Sequence, residues 1–164
     1  MKKKKYNKKF KVSIIINCYN GENFLKQCIQ SVINQTYKNW EIIFWDNLST
    51  DNSKKILKNF KDKRIKYFKT KKFTKLYEAR NLAIKKSGGK YISFLDVDDW
   101  WMSNKLEKQT DLFLLDPSLD IVYSNCYCIN NESKRRKLYI TKKLPSGSIA
   151  QKLLDSYSIG ILTA

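Results

Sequence analysis

An unbroken apolar run, Lys11-Val12-Ser13-Ile14-Ile15-Ile16, constrains this chain more than any other segment. A strand with one wet face alternates apolar and polar residues, whereas a continuous run calls for cover on both faces. Parallel sheets obtain that cover from crossover helices. The rest of the sequence supplies them. Glu22 to Asn34 sets Phe24, Leu25, Cys28, Ile29, Val32 and Ile33 at helical spacing. A second strand, Trp40–Trp45, runs into Asp46-Asn47-Leu48-Ser49-Thr50-Asp51, whose polar residues can cap a helix carrying Ile56, Leu57 and Phe60, with Asp51 read as a cap. Arg64–Phe68 reads as a third strand, and Leu76–Lys86 as a helix with Leu76, Ala79, Leu82 and Ala83 inward, stopped by Gly88-Gly89 as by a C′ glycine. Tyr91–Leu95 is the fourth strand. A helix follows from Ser103 to before Pro117, with Leu106, Leu112 and Phe113 inward. Asp120 opens a fifth strand, Ile121–Ser124, followed by a hairpin within Tyr127–Ile140 around Asn130-Asn131-Glu132-Ser133, and by a helix over Ser148–Tyr157. Strands alternating with helices predict an α/β fold with a mainly parallel, doubly wound sheet flanked by helices.

Open α/β sheets bind ligands beyond the carboxyl ends of their strands. Three of those ends are unusually polar: Asn17, Tyr19 and Asn20 after the first strand, Asp46 and Asn47 after the second, and Asp96, Asp98 and Asp99 after the fourth. Three carboxylates at one point repel one another. A hard divalent cation, Mg²⁺ or Mn²⁺, with phosphate oxygens completing its shell, would explain them. A base sandwiched by Tyr19 would then make the ligand a nucleotide. No G-x-G-x-x-G follows the first strand and no Walker phosphate loop is present, so neither a dinucleotide fold nor a P-loop is expected.

The 164 residues, 42% of them hydrophobic, suffice for one domain with a real core, expected over residues 10–164 behind a basic mobile tail at 1–9. A formal charge of +18 raises nucleic acid, anionic membranes and phosphorylated small molecules as partners without choosing among them. A Lys-rich solvated surface accounts for most of it. The chain contains no histidine, which removes Ser-His-Asp, Cys-His and His-metal chemistry. Its four cysteines, Cys18, Cys28, Cys126 and Cys128, fit neither a zinc site nor a disulfide framework and read as reduced core or near-core residues. No apolar stretch approaches the ~20 residues of a membrane span, and no secretion signal is recognisable, so a cytoplasmic location is expected, with or without peripheral contact at the inner membrane face.

Five ordered motifs carry a resemblance. Val12 to Asn20, Ser31 to Tyr37, Glu41-Ile42-Ile43 leading to Asp46 and Ser49-Thr50-Asp51, Ala79-Arg80-Asn81, and Leu95-Asp96-Val97-Asp98-Asp99 together resemble family 2 glycosyltransferases of the GT-A fold, over roughly Val12 to Ile129. The resemblance implies inverting transfer of a sugar from a nucleoside diphosphate, UDP favoured, to a glycan or lipid-linked acceptor. It implies a metal on Asp98 or Asp99, with Asp96 or Asp98 holding the ribose or orienting the ligands. Tyr19 would flank the base, Asp46 and Asn47 would approach its edge, and Lys75 and Arg80 would lie nearest the phosphates or the base. Arg80 could equally partner a buried carboxylate; Asn20 could be a turn residue; Trp100 and Trp101 could pack the following helix or meet a sugar.

Two departures from the family's pattern matter. Asn17 stands where many members have Pro, and Asn47-Leu48 where many have Asp-Gly, which leaves the base open. After Pro117 the acidic residues are Asp120, Glu132 and Asp155, none in a context resembling the family's general base. The expectation is therefore a C-terminally truncated, donor-binding part whose general base lies outside these residues. A noncatalytic donor-binding fragment is the alternative, and a basic nucleic-acid module a weaker one, with no specific nucleic acid expected.

Overall fold

A computed structural model describes residues 10–130, 133, 135–155, 159–160 and 163–164. The basic segment 1–9, Glu132 and Lys134 of the hairpin, and Tyr157 of the last predicted helix lie outside the described residues. Among the described residues six strands and five helices follow one another: β1 (Val12–Cys18), α1 (Glu22–Ile33), β2 (Trp40–Asp46), α2 (Ser53–Lys58), β3 (Ile65–Lys69), α3 (Leu76–Ile84), β4 (Tyr91–Phe94), α4 (Lys105–Leu115), β5 (Tyr127–Ile129), β6 (Arg136–Leu138) and α5 (Ala150–Asp155). The first four strands form one parallel sheet in the order β3-β2-β1-β4. The chain winds outward from β1 through β2 to β3, then returns to place β4 on the other side of β1. That reversal is the switch point at which such sheets open a crevice.

Burial on both faces explains the unbroken apolar runs. Alternate residues of β1 and β2, among them Ile14, Ile16, Ile42 and Phe44, pack with Leu25, Ile29 and Val32 of α1, Leu57 of α2 and Leu106 of α4. Ile15, Ile43 and Trp45 point the other way, against Ala79 and Ala83 of α3. The small alanines let α3 lie close to the sheet. The predicted helical faces were too wide at their margins: Phe24, Leu76 and Leu112 are 44%, 52% and 46% exposed. The stripe that the sheet can cover is narrower than the run of apolar residues on each helix.

Two further readings are corrected. Gly88-Gly89 does not act as a C′ glycine, since α3 closes at Lys85 and neither glycine has positive φ. Gly89 is instead a point of close approach, where a Cβ would stand 2.6 Å from the Ser13 nitrogen and 2.7 Å from the Lys11 oxygen. Residues 121–124 form no strand and Ile121 is 51% exposed. Among the described residues that segment takes one backbone bond, from Ser124 N–H to the Thr163 oxygen, and no ladder. The hairpin is present as antiparallel β5 and β6. All four thiols are unpaired; Cys18 and Cys28 are buried and Cys126 is half-buried, but Cys128 is exposed, contrary to its reading as near-core.

Opposite the crevice, Glu41 locks the amino ends of three strands. Its carboxylate is 3% exposed, accepts from Ser13 Oγ of β1 at 2.7 Å and from the Gly88 N–H before β4 at 2.7 Å, and pairs with Lys66 of β3 at 2.8 Å. Burial alone would raise its pKa, yet the bonds from Lys66, Ser13 and Gly88 outweigh it and hold the group at about 2.

Candidate functional site

The loops after β1 and β2 are fastened to each other before they offer anything to a ligand. Asn20 adopts positive φ (53°) and its Oδ1 accepts from Thr50 N–H at 2.8 Å, while its own N–H donates to Ser49 Oγ. Asp51 accepts from Ser53 N–H and from Glu22 N–H, so one carboxylate ties the first residue of α2 to the first residue of α1, while the N-cap position of α2, expected at Asp51, is held by Asn52. Glu22 returns the contact by accepting from Asn52. Asn20 and Asp51 thus build the rim.

Asp46, at the end of β2, is fully buried, and both its oxygens are taken: Oδ1 accepts from Ser49 N–H at 2.7 Å and Oδ2 from the Tyr67 hydroxyl at 2.6 Å. Burial and that bond push the Tyr67 phenol well above its ordinary pKa. The expectation that Asp46 approaches a base is corrected: fully buried and with a bond to each oxygen, it holds the turn that presents Asn47. Asn47 lines the crevice, but its amide is bonded to Thr74, accepting from the Thr74 N–H and hydroxyl and donating to its carbonyl at 2.8 Å. That triple contact pins the loop carrying Phe73 and Lys75.

The result is a crevice of about 360 Å³ lined by Asn17, Cys18, Tyr19, Asn47, Phe73, Thr74, Lys75, Leu76 and Ala79. Tyr19 and Phe73, 54% and 58% exposed, meet edge to face with centroids 5.0 Å apart. Asn17 Nδ2 is buried with no hydrogen-bond partner among the described residues. A buried amide donor without a partner costs about 1–3 kcal/mol, so its presence in a crevice wall marks a place for an acceptor. Phe73 and Thr74 escaped the sequence reading because nothing in the Lys-rich stretch Lys71-Lys72-Phe73-Thr74-Lys75 has a period.

The acidic turn lies past β4 and is tied to α3. Arg80 Nη2 donates to Asp96 Oδ1 at 2.7 Å, immediately after Ala79 of the crevice wall. Arg80 is thus the partner of the Asp96 carboxylate. Among the described residues no cation pairs with Asp98, which is exposed, or with Asp99, which is half-buried. Burial, then the charges of Asp98 and Asp96, raise the Asp99 pKa to about 6. No three acidic or thiol groups converge on one point among the described residues. The donor set nevertheless suits a cation of the Mg²⁺ kind, which takes one or two carboxylates and completes its shell with water and phosphate. The mutual repulsion at Asp99 is what such an ion would relieve. Of the neighbouring Trp100 and Trp101, Trp101 is buried against α1 and α4, and Trp100 is 42% exposed.

Comparison with known proteins gives one consistent result. The sequence profile described as "Glycosyl transferase family 2" matches residues 13–163. The chain is 39% identical over 152 residues to the Escherichia coli UDP-Glc:alpha-D-GlcNAc-diphosphoundecaprenol beta-1,3-glucosyltransferase WfgD, covering 93% of this chain and 58% of that one. It is 42% identical over 134 residues to an uncharacterized glycosyltransferase of Haemophilus influenzae, covering 80% of this chain and 53% of that one. The chain therefore spans little more than half the length of these relatives. Among solved structures, S. aureus TarS 1-349 in complex with UDP-GlcNAc superposes with a TM-score of 0.62 at 24% identity, over 64% of this chain and 31% of that chain. A mannosyltransferase from Pyrobaculum calidifontis in complex with GDP-Man and Mn2+ does so with a TM-score of 0.60 at 17% identity, over 70% and 34%. These likenesses are of fold, and they agree with the GT-A architecture.

Proposed function

This chain belongs to glycosyl transferase family 2, and on that premise we propose that its residues 10–164 form a domain that holds a nucleoside-diphosphate sugar for transfer, with inversion, to a glycan or lipid-linked acceptor. The observation that carries this reading is the crevice itself: two exposed aromatic rings, a buried amide donor without a partner and a lysine, beside an acidic turn with two unpaired carboxylates. Tyr19 and Phe73 would flank the base, and Asn17 Nδ2 would donate to one of its carbonyl oxygens. Lys75, at the start of α3, would reach the diphosphate. Asp98 and Asp99 would hold Mn²⁺ or Mg²⁺, which when bound neutralises charge on the departing diphosphate. Arg80 keeps Asp96 in place behind them. In the transfer the acceptor hydroxyl would attack the anomeric carbon as the bond from that carbon to the diphosphate oxygen breaks, inverting the centre, with the hydroxyl proton passing to a general base outside these residues and the nucleoside diphosphate leaving.

The E. coli relative's name specifies UDP-Glc and a diphosphoundecaprenol-linked GlcNAc, and the TarS structure contains UDP-GlcNAc. Both favour a UDP-sugar here, and the E. coli relative a lipid-linked acceptor. An acceptor of that kind would bring the enzyme to the cytoplasmic face of a membrane, where a chain of net charge +18 favours anionic lipid. Among the described residues no helix is long and apolar enough to cross a membrane.

Titration calorimetry of UDP, GDP and dTDP, with and without Mn²⁺ and at two salt concentrations, tests the reading. Binding of UDP that requires Mn²⁺, survives 0.3 M salt and is lost in Asp98→Ala/Asp99→Ala is the expected result. Metal-independent binding of all three that vanishes with salt would mean that charge alone attracts them.

A further inference from the structure

A second groove, of about 640 Å³, runs along the outer face of α1 to the loop after the acidic turn. It is lined by Asn23, Gln27, Gln30, Asn34, Trp100 and Lys26, with Ser31, Trp101 and Ser103 beneath. The four carboxamides fall at intervals of four, three and four residues, which places them in one line along a helix. This is unusual for a chain with 33 Lys and Arg against 15 acidic residues. The short α2, by comparison, turns Lys54, Lys55 and Lys58 outward. On α1 the groove carries a single cation, Lys26.

The floor is rigid. Ser31 Oγ accepts from the Trp101 N–H at 3.2 Å. Gln35, fully buried, donates to the Ser31 and Met102 carbonyls and accepts from Leu106 N–H at 3.0 Å. Thr36 donates from its N–H to the Ser103 carbonyl and from its hydroxyl to Glu107. The backbone that follows Trp100 is thereby bolted to α1 and to the turn after it, which limits the loop ordering that binding must supply. Gln30 Nε2 donates to Asn34 Oδ1, leaving Gln30 Oε1 as an acceptor and Asn34 Nδ2 as a donor. Asn23 and Gln27 have no partner among the described residues.

We propose that this groove binds a neutral oligosaccharide of gluco-configured pyranoses. Such a ring sets its hydroxyls around the equator and leaves C–H bonds on its faces, so one face covers Trp100 while neighbouring hydroxyls pair with carboxamides that each offer a donor and an acceptor. A polyanion would be drawn instead to the lysine-rich surfaces. Trp100 directly follows Asp98 and Asp99, so a glycan in the groove would lead toward the proposed donor site. Its role as an extended acceptor subsite rests on the transfer reading; its binding of sugar does not.

The test titrates cellotetraose and tetra-N-acetylchitotetraose into the chain by calorimetry, following the Trp100 indole N–H in ¹⁵N spectra, with UDP and Mn²⁺ titrated into the same preparations. At least one tetrasaccharide should bind saturably, with a dissociation constant at or below about 5 mM. Trp100→Ala should weaken it by about tenfold or more, and Gln27→Ala/Gln30→Ala, on a solvent-facing helix surface, by about fivefold, with UDP binding unchanged in both. Absence of saturable sugar binding, or equal binding by wild type and both variants, overturns the groove. UDP binding without sugar binding overturns the groove alone, and sugar binding without UDP binding overturns the donor site alone.

Discussion

Replacing Glu41 by Gln separates what holds the sheet together from what the crevice binds. The carboxylate's pKa lies at about 2 in the folded chain against an ordinary 4.5. That depression corresponds to roughly 3 kcal/mol at neutral pH. Glu41 itself is 3% exposed, but Lys66 and Lys11 are 47% and 46% exposed, so solvent screening reduces the expected contribution to about 2–3 kcal/mol. In Glu41→Gln the amide oxygen can still accept from Ser13 or Gly88, but its NH₂ group would face the Lys66 ammonium, donor against donor. The loss should appear in urea denaturation at pH 7 as a lowered midpoint with unchanged slope. Because the folded pKa is depressed, the stabilisation is complete above 4.5 and is lost as pH falls toward 2. By pH 3.5 about 40% of the wild-type advantage should have gone. A wild-type advantage that is equal at pH 7 and pH 3.5, or below about 0.5 kcal/mol at pH 7, would refute the account. UDP affinity should not change, since Glu41 sits near the start of β2, roughly 17 Å along the strand from Asp46.

Four other outcomes can be checked on the same protein. Mn²⁺ affinity should fall about fourfold from pH 7 to pH 5.5, because the Asp99 carboxyl, at about 6, takes up the proton that competes with the ion; a flat profile in calorimetry would remove Asp99 from the site. Tyr19→Ala and Phe73→Ala should each weaken nucleotide binding by about 3–10-fold without altering its metal dependence, and an unchanged affinity would leave these rings no ligand role. Tyr67→Phe should cost about 1–3 kcal/mol in urea denaturation, by depriving the buried Asp46 of a donor. Gly89→Ala should cost about 1–3 kcal/mol by the same measurement, since its Cβ would press on backbone of β1.

Much of this molecule was legible as a pattern. Unbroken runs such as Ser13–Ile16 and Ile42–Trp45 require cover on two faces, and that alone implies crossover helices and parallel strands. The polar residues at the ends of those runs had to share one edge. Asn17, Tyr19, Asn47 and Lys75 indeed lie together there, and the five ordered motifs pointed to the right family. Misreadings arose wherever a residue's state depends on what stands opposite it. Ile121–Ser124 has the composition of a strand, yet pairing is decided by the neighbouring edge. Asp46 looks like a ligand group in a list of polar residues, but Tyr67 and Ser49, each distant or unremarkable in sequence, bond both its oxygens. Glu41 was an available signal, a lone carboxylate within Trp40-Glu41-Ile42-Ile43, and its need for partners from three strands could have been inferred from the cost of burying a charge. Phe73 and the amide line on α1 had no such signal, because a loop aromatic and an exposed helix face become a wall or a groove only when another segment is brought against them. The sequence by itself determined the sheet, its direction and the edge that carries chemistry, since hydrophobic period and strand polarity are local properties. Tertiary structure decided which polar atoms remain open to a ligand, since every hydrogen-bonding group must be satisfied by whatever the fold places within about 3 Å of it.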